Sequence, residues 1–313
     1  MSDGPGTAAR SVFSDEDDRV APAPPVPGEY ITEEEEPPLF DLSFDEPLQP
    51  RVAGRFQDLA PRLVTALILF VVGGVAIWVG GLVFTLLIAL IVGVMLWELA
   101  TMLRVGPKRA RFMGGVGAGA LVIGNLVPVG FGLPLLMLVP MVGVAVLRSH
   151  RRIMVAFSAA IVLAGLSLTQ LLTNFGLSWM LWLIAVVVMS DVAGYFAGRM
   201  LGGPKFWPRV SPKKTWSGTI AGWVGAALVG LAWTLGTGAG WETIGISVAL
   251  AMMAQMGDIA ESAVKRRMGV KDSSNLLPGH GGLFDRFDAM LGAALMLLVV
   301  TSLSEFPPIP GVQ

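Results

Sequence analysis

Residues 63–103 read LVTALILFVVGGVAIWVGGLVFTLLIALIVGVMLWELATML, a run in which the one charged side chain is Glu98. A helix that crosses a bilayer needs about 20 mostly apolar residues, so this run is long enough for two. Across the whole chain 54% of residues are hydrophobic and 14% are charged, whereas soluble domains contain about 25% charged residues. The composition therefore predicts an all-α, polytopic integral membrane protein rather than a soluble domain with a large core.

The same apolar pattern recurs along the chain and predicts about nine transmembrane helices. Lys and Arg are concentrated in alternate connections between them, namely 51–62, 104–111, 148–152, 199–216 and 264–286. Cytoplasmic loops carry the excess of basic residues in membrane proteins, so the N-terminus is predicted inside and the C-terminus outside. The predicted spans are 63–80, 82–103, 112–128, 130–147, 153–173, 179–198, 217–236, 243–263 and 287–303.

The first 50 residues differ from the rest in charge. They hold 13 of the 23 acidic residues against two basic ones, Arg10 and Arg19, a net charge of −11. Such a Pro-rich, charged segment buries too little apolar surface to offset its ordering entropy, so 1–50 is predicted to be a disordered cytoplasmic tail. It contains no apolar stretch, so no signal peptide is expected. The chain has no cysteine, which excludes disulfide and thiolate chemistry.

Acidic residues cluster in the last four predicted spans. Asp191, Asp258 and Glu261 fall inside spans, and Asp272, Asp285 and Asp288 lie within or beside the segment that leads into the last one. An acid at bilayer depth costs about 2.5–3.5 kcal/mol on insertion scales, so these side chains should face a polar cavity or a partner. A salt bridge to a neighbouring helix would explain one such acid equally well, but several together favour a functional site.

The residues around these acids indicate which ligands the site would take. Asp and Glu without cysteine suit a hard cation such as Mg²⁺. Lysines in SPKKTWSG (211–218) precede a predicted helix start near Ser217, and a helix N-terminus with nearby lysines is a natural site for phosphate. A second basic segment, VKRRMGVKD, occupies 264–272, and GHGG (279–282) provides a flexible backbone. Taken alone, these lysines could equally be cytoplasmic anchors of the spans, and the glycines a simple turn.

Residues 262–288, SAVKRRMGVKDSSNLLPGHGGLFDRFD, resemble the signature of the phosphatidate cytidylyltransferase family. The pattern of Ser, Lys-Arg, Lys-Asp, His-Gly-Gly and Asp-Arg-x-Asp is complete here. SDVAGYFAGRMLGG (190–203) is similar to the family's Asp-x-x-Ala-Tyr segment, although the small residues after Asp191 are shifted. SPKKTWSG is similar to its Ser-Pro-x-Lys-Thr-x-x-Gly stretch. The resemblance covers about 190–303.

The resemblance implies that CMP passes from CTP to phosphatidate, which yields CDP-diacylglycerol and pyrophosphate. It implies Mg²⁺ held by Asp258, Asp285 and Asp288, and it also allows a monovalent cation such as K⁺ beside it. Asp272 and Glu261 are expected to be ion-pair partners rather than metal ligands. Predicted catalytic residues are Asp258, Asp285, His280, Lys265 and Arg286. Predicted substrate-binding residues are Lys213, Lys214, Ser211, Arg266, Lys271, Asp191, Gly281 and Gly282.

The expected organisation follows from these assignments. N-terminal transmembrane helices occupy 51–174, and catalytic transmembrane helices with cytoplasmic loops occupy 175–313. CTP is cytosolic and phosphatidate is a membrane lipid, so the active site is predicted at the cytoplasmic face of a bacterial inner membrane. A homodimer is allowed, and no nucleic-acid partner is expected.

Two other classes of protein remain open at this point. A CTP-dependent kinase of a lipid alcohol would share a phosphate site in the membrane but would need a base to activate the alcohol. A secondary transporter would use intramembrane acids as ion relays and is expected to show an internal repeat. The complete signature argues against the kinase. The transporter is disfavoured because the sequence shows no internal repeat and because the acids cluster in the C-terminal portion.

Overall fold

The computed structural model describes residues 59–147, 149–277 and 281–307. This part of the chain folds into nine α-helices, joined in one place by a π-helical turn, Leu171–Phe175, and in another by a two-stranded hairpin. The helices are α1 (Leu59–Val79), α2 (Gly81–Met102), α3 (Pro107–Leu126), α4 (Val129–Val146), α5 (Arg151–Gln170), α6 (Gly176–Met200), α7 (Trp216–Thr237), α8 (Glu242–Met268) and α9 (Phe284–Leu303). The predicted acidic tail, 1–50, lies outside the described residues.

Each predicted span overlaps one of these helices, and the membrane class is supported by their length and composition. Five segments of the described chain are long and apolar enough to cross a membrane, namely Gly81–Met102, Arg151–Met200, Trp216–Thr237, Glu242–Met268 and Phe284–Leu303. Two shorter helical stretches, Leu63–Val79 and Phe131–Val146, are also apolar. Nine membrane spans and the N-in orientation therefore remain predictions.

The predicted break between the fifth and sixth spans coincides with the π-helical turn. Gly176, which follows this turn, has φ 84° and ψ −176°. A non-glycine residue rarely adopts a positive φ, so glycine is needed here. These dihedrals are far from helical values, so the continuous apolar segment Arg151–Met200 is interrupted close to the predicted connection at 174–178.

The described chain is mostly helical, as predicted, but the connection between α6 and α7, which was predicted as a loop, contains two short strands. Strands β1 (Lys205–Trp207) and β2 (Ser211–Thr215) pair there in an antiparallel hairpin. The Phe206 ring packs against Trp216 with a centroid distance of 4.6 Å, which ties β1 to the start of α7. The strands are too short, and β2 too rich in Lys and Pro, to show the alternation that identifies a strand in a sequence. The predicted helix start near Ser217 is confirmed, because α7 begins at Trp216 and Thr215 Oγ1 accepts a hydrogen bond from Gly218 N.

Helices α8 and α9 approach each other closely at a pair of glycines. A Cβ atom on Gly257 would collide with the backbone carbonyl of Asp288, and one on Gly292 would collide with the carbonyl of Met253. Small residues allow such close helix packing in membrane proteins. The crossing brings the start of α9 against the part of α8 that carries Asp258.

Gly292→Ala is therefore expected to destabilise the protein by about 1–3 kcal/mol, the usual range for overpacking a tight contact. Thermal unfolding of the detergent-solubilised protein would measure the change. Gly245→Ala is the matched control, since Gly245 lies on α8 with open space where its Cβ would be, and Ala favours helix there. Equal stability of the two variants would show that the α8–α9 crossing is not tight.

Candidate active site

Three acidic side chains meet where α8 crosses the start of α9. Asp258 and Glu261 lie three residues apart on α8, a spacing that places both on one face of a helix. One carboxylate oxygen from each, and one from Asp288 on α9, all lie within 4.8 Å of one another. We call Asp258, Glu261 and Asp288 the acidic triad. Its three carboxylates are close enough to share one cation.

Glu261 makes the triad more than a chance cluster of acids. Its side chain is 0% exposed, and neither carboxylate oxygen receives an aligned hydrogen bond among the described residues. Lys265 Nζ lies 2.6 Å from Glu261 Oε2, so the expected ion pair is present. A buried carboxylate normally fills its lone pairs with donors or a metal. The remaining lone pairs and the all-oxygen donor set fit a hard divalent cation such as Mg²⁺.

Asp285, the predicted metal ligand at the start of α9, is engaged differently. Its carboxylate accepts hydrogen bonds from Lys265 Nζ at 2.7 Å, from Gly282 N at 2.8 Å, and from Ser273 N and Oγ, both at 2.9 Å. A carboxylate has about four lone-pair positions, and these donors fill them. Asp285 would reach a cation only by giving up some of these bonds. In this arrangement it anchors the loop before α9 and shares Lys265 with Glu261.

Lys214 joins the hairpin to the triad. Its Nζ atom lies 2.6 Å from Asp258 Oδ2 and donates to the backbone carbonyl of Gln255 at 3.3 Å. The Gln255 side chain continues the network, because its amide donates to Thr219 O at 3.3 Å and its carbonyl accepts from Trp223 Nε1 at 3.1 Å. The Lys214 contacts hold β2 against α8, and the Gln255 side chain holds α8 against α7, so the Lys214 ammonium lies beside Asp258 where these three elements meet.

The other predicted site residues divide into two groups. Asp191 on α6 is exposed and lies within electrostatic range of Lys214 and Asp258, and Gly282 N binds Asp285. Gly281 has φ 81°, a conformation that glycine adopts readily. Four basic residues and one serine have exposed or half-exposed positions in the hairpin, at the end of α8, in the following loop or at the start of α9: Lys213, Arg266, Lys271, Arg286 and Ser211. His280 lies outside the described residues.

Sequence reasoning missed the role of Glu98. In the sequence it is the single charge of the apolar run 63–103, whereas the structure places it against the segment before α9. Its side chain is 0% exposed and accepts a hydrogen bond from Ser274 Oγ at 2.6 Å. A lone carboxylate at bilayer depth is a signal that could have indicated a polar partner, but the partner is 176 residues away in the chain.

Comparisons with known proteins agree with the predicted resemblance. A family model described as the cytidylyltransferase family matches residues 60–304. A protein of Brucella suis biovar 1 named phosphatidate cytidylyltransferase is 37% identical over 265 residues, which cover 81% of this chain and 97% of that protein. One of Helicobacter pylori with the same name is 43% identical over 126 residues, 40% of this chain and 47% of that protein. The match includes both the N-terminal helices and the acidic triad, and the chain belongs to the cytidylyltransferase family.

Proposed function

We propose that this protein transfers CMP from CTP to phosphatidate, with CDP-diacylglycerol and pyrophosphate as products. The observation that carries the proposal is the acidic triad between two lysines, Lys214 and Lys265. A reaction between two phosphate anions requires positive charge close to the reacting atoms, because the anions repel each other. Lysine side chains and carboxylates able to bind a metal ion would supply it here. The names of the relatives specify the lipid and the nucleotide.

The chemistry explains why the site is rich in charge and needs no strong base. A phosphate oxygen of phosphatidate, already ionised at neutral pH, attacks the α-phosphorus of CTP. The new bond joins this oxygen to the α-phosphorus, and the bond from the α-phosphorus to the bridging oxygen of pyrophosphate breaks. Since nucleophile, electrophile and leaving group are all anionic, positioning and positive charge supply most of the rate enhancement.

We infer that a divalent cation, Mg²⁺ in the cell, is held by Asp258 and Asp288, as predicted, together with Glu261. When bound, it would neutralise phosphate charge and stabilise the transition state. Lys265 would then balance Asp285 and Glu261, and Asp285 would hold the loop in place. The predicted monovalent cation and the role of His280 stay predictions from the resemblance.

The basic residues around the triad are proposed to bind the phosphates of the two substrates. Lys214 lies beside Asp258, where it would meet a phosphate bound to the same cation. Exposed side chains on either side of the triad provide further positive charge, and Arg suits bidentate phosphate contacts. These are Lys213, Arg266, Lys271 and Arg286, with Asp191 and Ser211 as polar neighbours.

The site also supports the proposed orientation in the membrane. The hairpin, the C-terminal part of α8 and the N-terminus of α9 meet at the triad and the adjoining loop. All belong to, or adjoin, segments with an excess of Lys and Arg, which favours the cytoplasmic side of an inner membrane. CTP would reach the site from the cytosol and phosphatidate from the bilayer. Nine spans, a division of the helices near residue 174, a cytoplasmic tail 1–50 and a homodimer belong to this proposal.

The proposed function is tested with CTP labelled at the α-phosphorus or at the γ-phosphorus. Purified protein in detergent is given phosphatidate, or a polyprenol-type lipid alcohol in its place, with Mg²⁺ or with EDTA. We expect the α-label to enter the lipid and the γ-label to leave as pyrophosphate, in both cases only with Mg²⁺ and phosphatidate. Entry of the γ-label into a lipid alcohol would identify a kinase instead. Absence of nucleotide turnover with either lipid would contradict the enzyme and favour transport.

A further inference from the structure

Glu98 connects the N-terminal helices to the loop that precedes α9 and to the first residue of α9. It lies near the end of α2 and has no exposed surface. Its Oε1 atom accepts hydrogen bonds from Ser274 Oγ at 2.6 Å and Leu283 N at 2.9 Å, and its Oε2 atom accepts one from Phe284 N at 2.7 Å. A buried carboxylate with three donors is stable in a site that water does not reach.

These contacts place a negative charge at the start of α9. The first N–H groups of a helix have no partner within the helix. The residue at the N-cap position, Leu283, has no side-chain oxygen to accept them. Glu98 supplies that oxygen from another helix, and its charge also complements the positive end of the helix dipole.

A second carboxylate holds the same segment from the other side. Asp285 accepts hydrogen bonds from Ser273 N at 2.9 Å and Gly282 N at 2.8 Å. Gly282 lies between the two acids, and a Cβ atom there would collide with Ser273 Oγ and press against Glu98. The described parts of segment 273–284 are therefore fixed by Glu98 on one side and Asp285 on the other, with space for glycine alone between them.

We propose that Glu98 is a positioning residue for the reaction. It holds Ser274 and the residues at the start of α9, Leu283 and Phe284, and thereby sets where Asp285 and Asp288 lie relative to the acids of α8. The inference rests on the proposed function for its effect on rate. Its effect on the segment itself does not depend on which reaction the protein catalyses.

The test is Glu98→Gln, which keeps the size of the side chain but replaces one acceptor oxygen with an amide that only donates. We expect faster hydrogen exchange in peptides that cover 273–284, with little change in the other helices. Misplacement of reacting groups by about 1 Å can lower rates by about 100-fold. We therefore expect kcat for CMP transfer to fall by between 10-fold and 100-fold, with a much smaller change in KM for CTP.

Two further variants make the result specific. Thr85→Val is the matched control, because Thr85 is also buried on α2, and among the described residues its hydroxyl bonds only the Gly81 carbonyl of its own helix. It should leave exchange in 273–284 and kcat unchanged. Ser274→Ala removes one of the three bonds to Glu98 and keeps the other two. It also removes the bond that Leu276 N donates to Ser274 Oγ at 3.1 Å, so the exchange that tests the proposal in this variant is that of residues 281–284. Ser274→Ala should raise exchange there by less than Glu98→Gln does, and it serves as the test if Glu98→Gln does not fold.

Unchanged exchange in 281–284 in both Glu98→Gln and Ser274→Ala would overturn the proposal. So would a general rise in exchange shared with Thr85→Val, since that would mean a structural role in α2. The experiment distinguishes failure of the positioning proposal from failure of the proposed function. Exchange reports on the segment even if the protein transfers no CMP from CTP.

Discussion

Asp258→Asn is expected to reduce kcat/KM for CTP by about 1000-fold, which corresponds to about 4 kcal/mol of transition-state stabilisation. Asp258 belongs to the acidic triad, which is the proposed cation site, and its Oδ2 atom also lies 2.6 Å from Lys214 Nζ. Asparagine has the same size but no charge, so the cation binds less tightly and the lysine loses its partner. Incorporation of α-labelled CMP into lipid, measured over a range of Mg²⁺ concentrations, would show both the loss and a higher Mg²⁺ requirement.

Glu242→Gln is the control on the same helix. Glu242 is exposed in the first turn of α8, at the end opposite the triad, so its charge should not affect the reaction. Wild-type activity in Asp258→Asn at an unchanged Mg²⁺ requirement would remove Asp258 from the proposed cation site.

Two more substitutions in the same assay separate the alternative ligand sets. If the triad holds the cation, Glu261→Gln raises the Mg²⁺ requirement and Asp285→Asn lowers kcat with little effect on that requirement. If Asp285 is a ligand, as the resemblance implies, the effect on Mg²⁺ is larger in Asp285→Asn.

Lys265→Met is expected to lower the free energy of unfolding by about 3–5 kcal/mol, the range for removing one partner of a buried ion pair. Lys265 Nζ lies 2.6 Å from Glu261 and 2.7 Å from Asp285, whose side chains are 0% and 6% exposed. In Lys265→Met both carboxylates would remain buried without the positive charge of the lysine ammonium. Thermal unfolding in detergent would measure the loss, and Mg²⁺ should restore part of it, because a cation that binds only the folded state stabilises it.

A double variant tests whether uncompensated charge is the cause. Lys265→Met with Glu261→Gln removes one of the two unpaired carboxylates, so it should be more stable than Lys265→Met alone, a non-additive result typical of residues in contact. Arg267→Met, an exposed position two residues along the chain, should change stability by less than about 0.5 kcal/mol. If Lys265→Met were as stable as Arg267→Met, the Lys265 contacts would contribute nothing measurable to the fold.

Local properties of the chain were enough to identify the protein class and the positions of its helices. Hydropathy depends on which residues are neighbours in the chain, so runs such as 63–103 predict helices that the structure contains. The signature at 262–288 likewise predicted the family, because its residues are close together in the chain and their spacing is specific. The hairpin at 205–215 was missed because its strands are too short to carry a pattern.

Contacts between distant segments determined how the acids are used. Helical spacing places Asp258 and Glu261 on one face of α8, but it does not specify which acid of α9 faces them. That choice depends on the close crossing at Gly257 and Gly292, which brings Asp288 to the triad. Asp285, three residues earlier, accepts donors from the loop instead.

The role of Glu98 depends most strongly on folding. In the chain it is one charge in a long apolar run, and its partners lie 176 to 186 residues away. From the sequence one can infer that a carboxylate in an apolar run needs hydrogen-bond donors, because burial of an unpaired charge is costly. Which donors these are is decided when α2 packs beside the start of α9. Two of the three donors are backbone N–H groups, which every residue except proline has, so they carry no sequence signal.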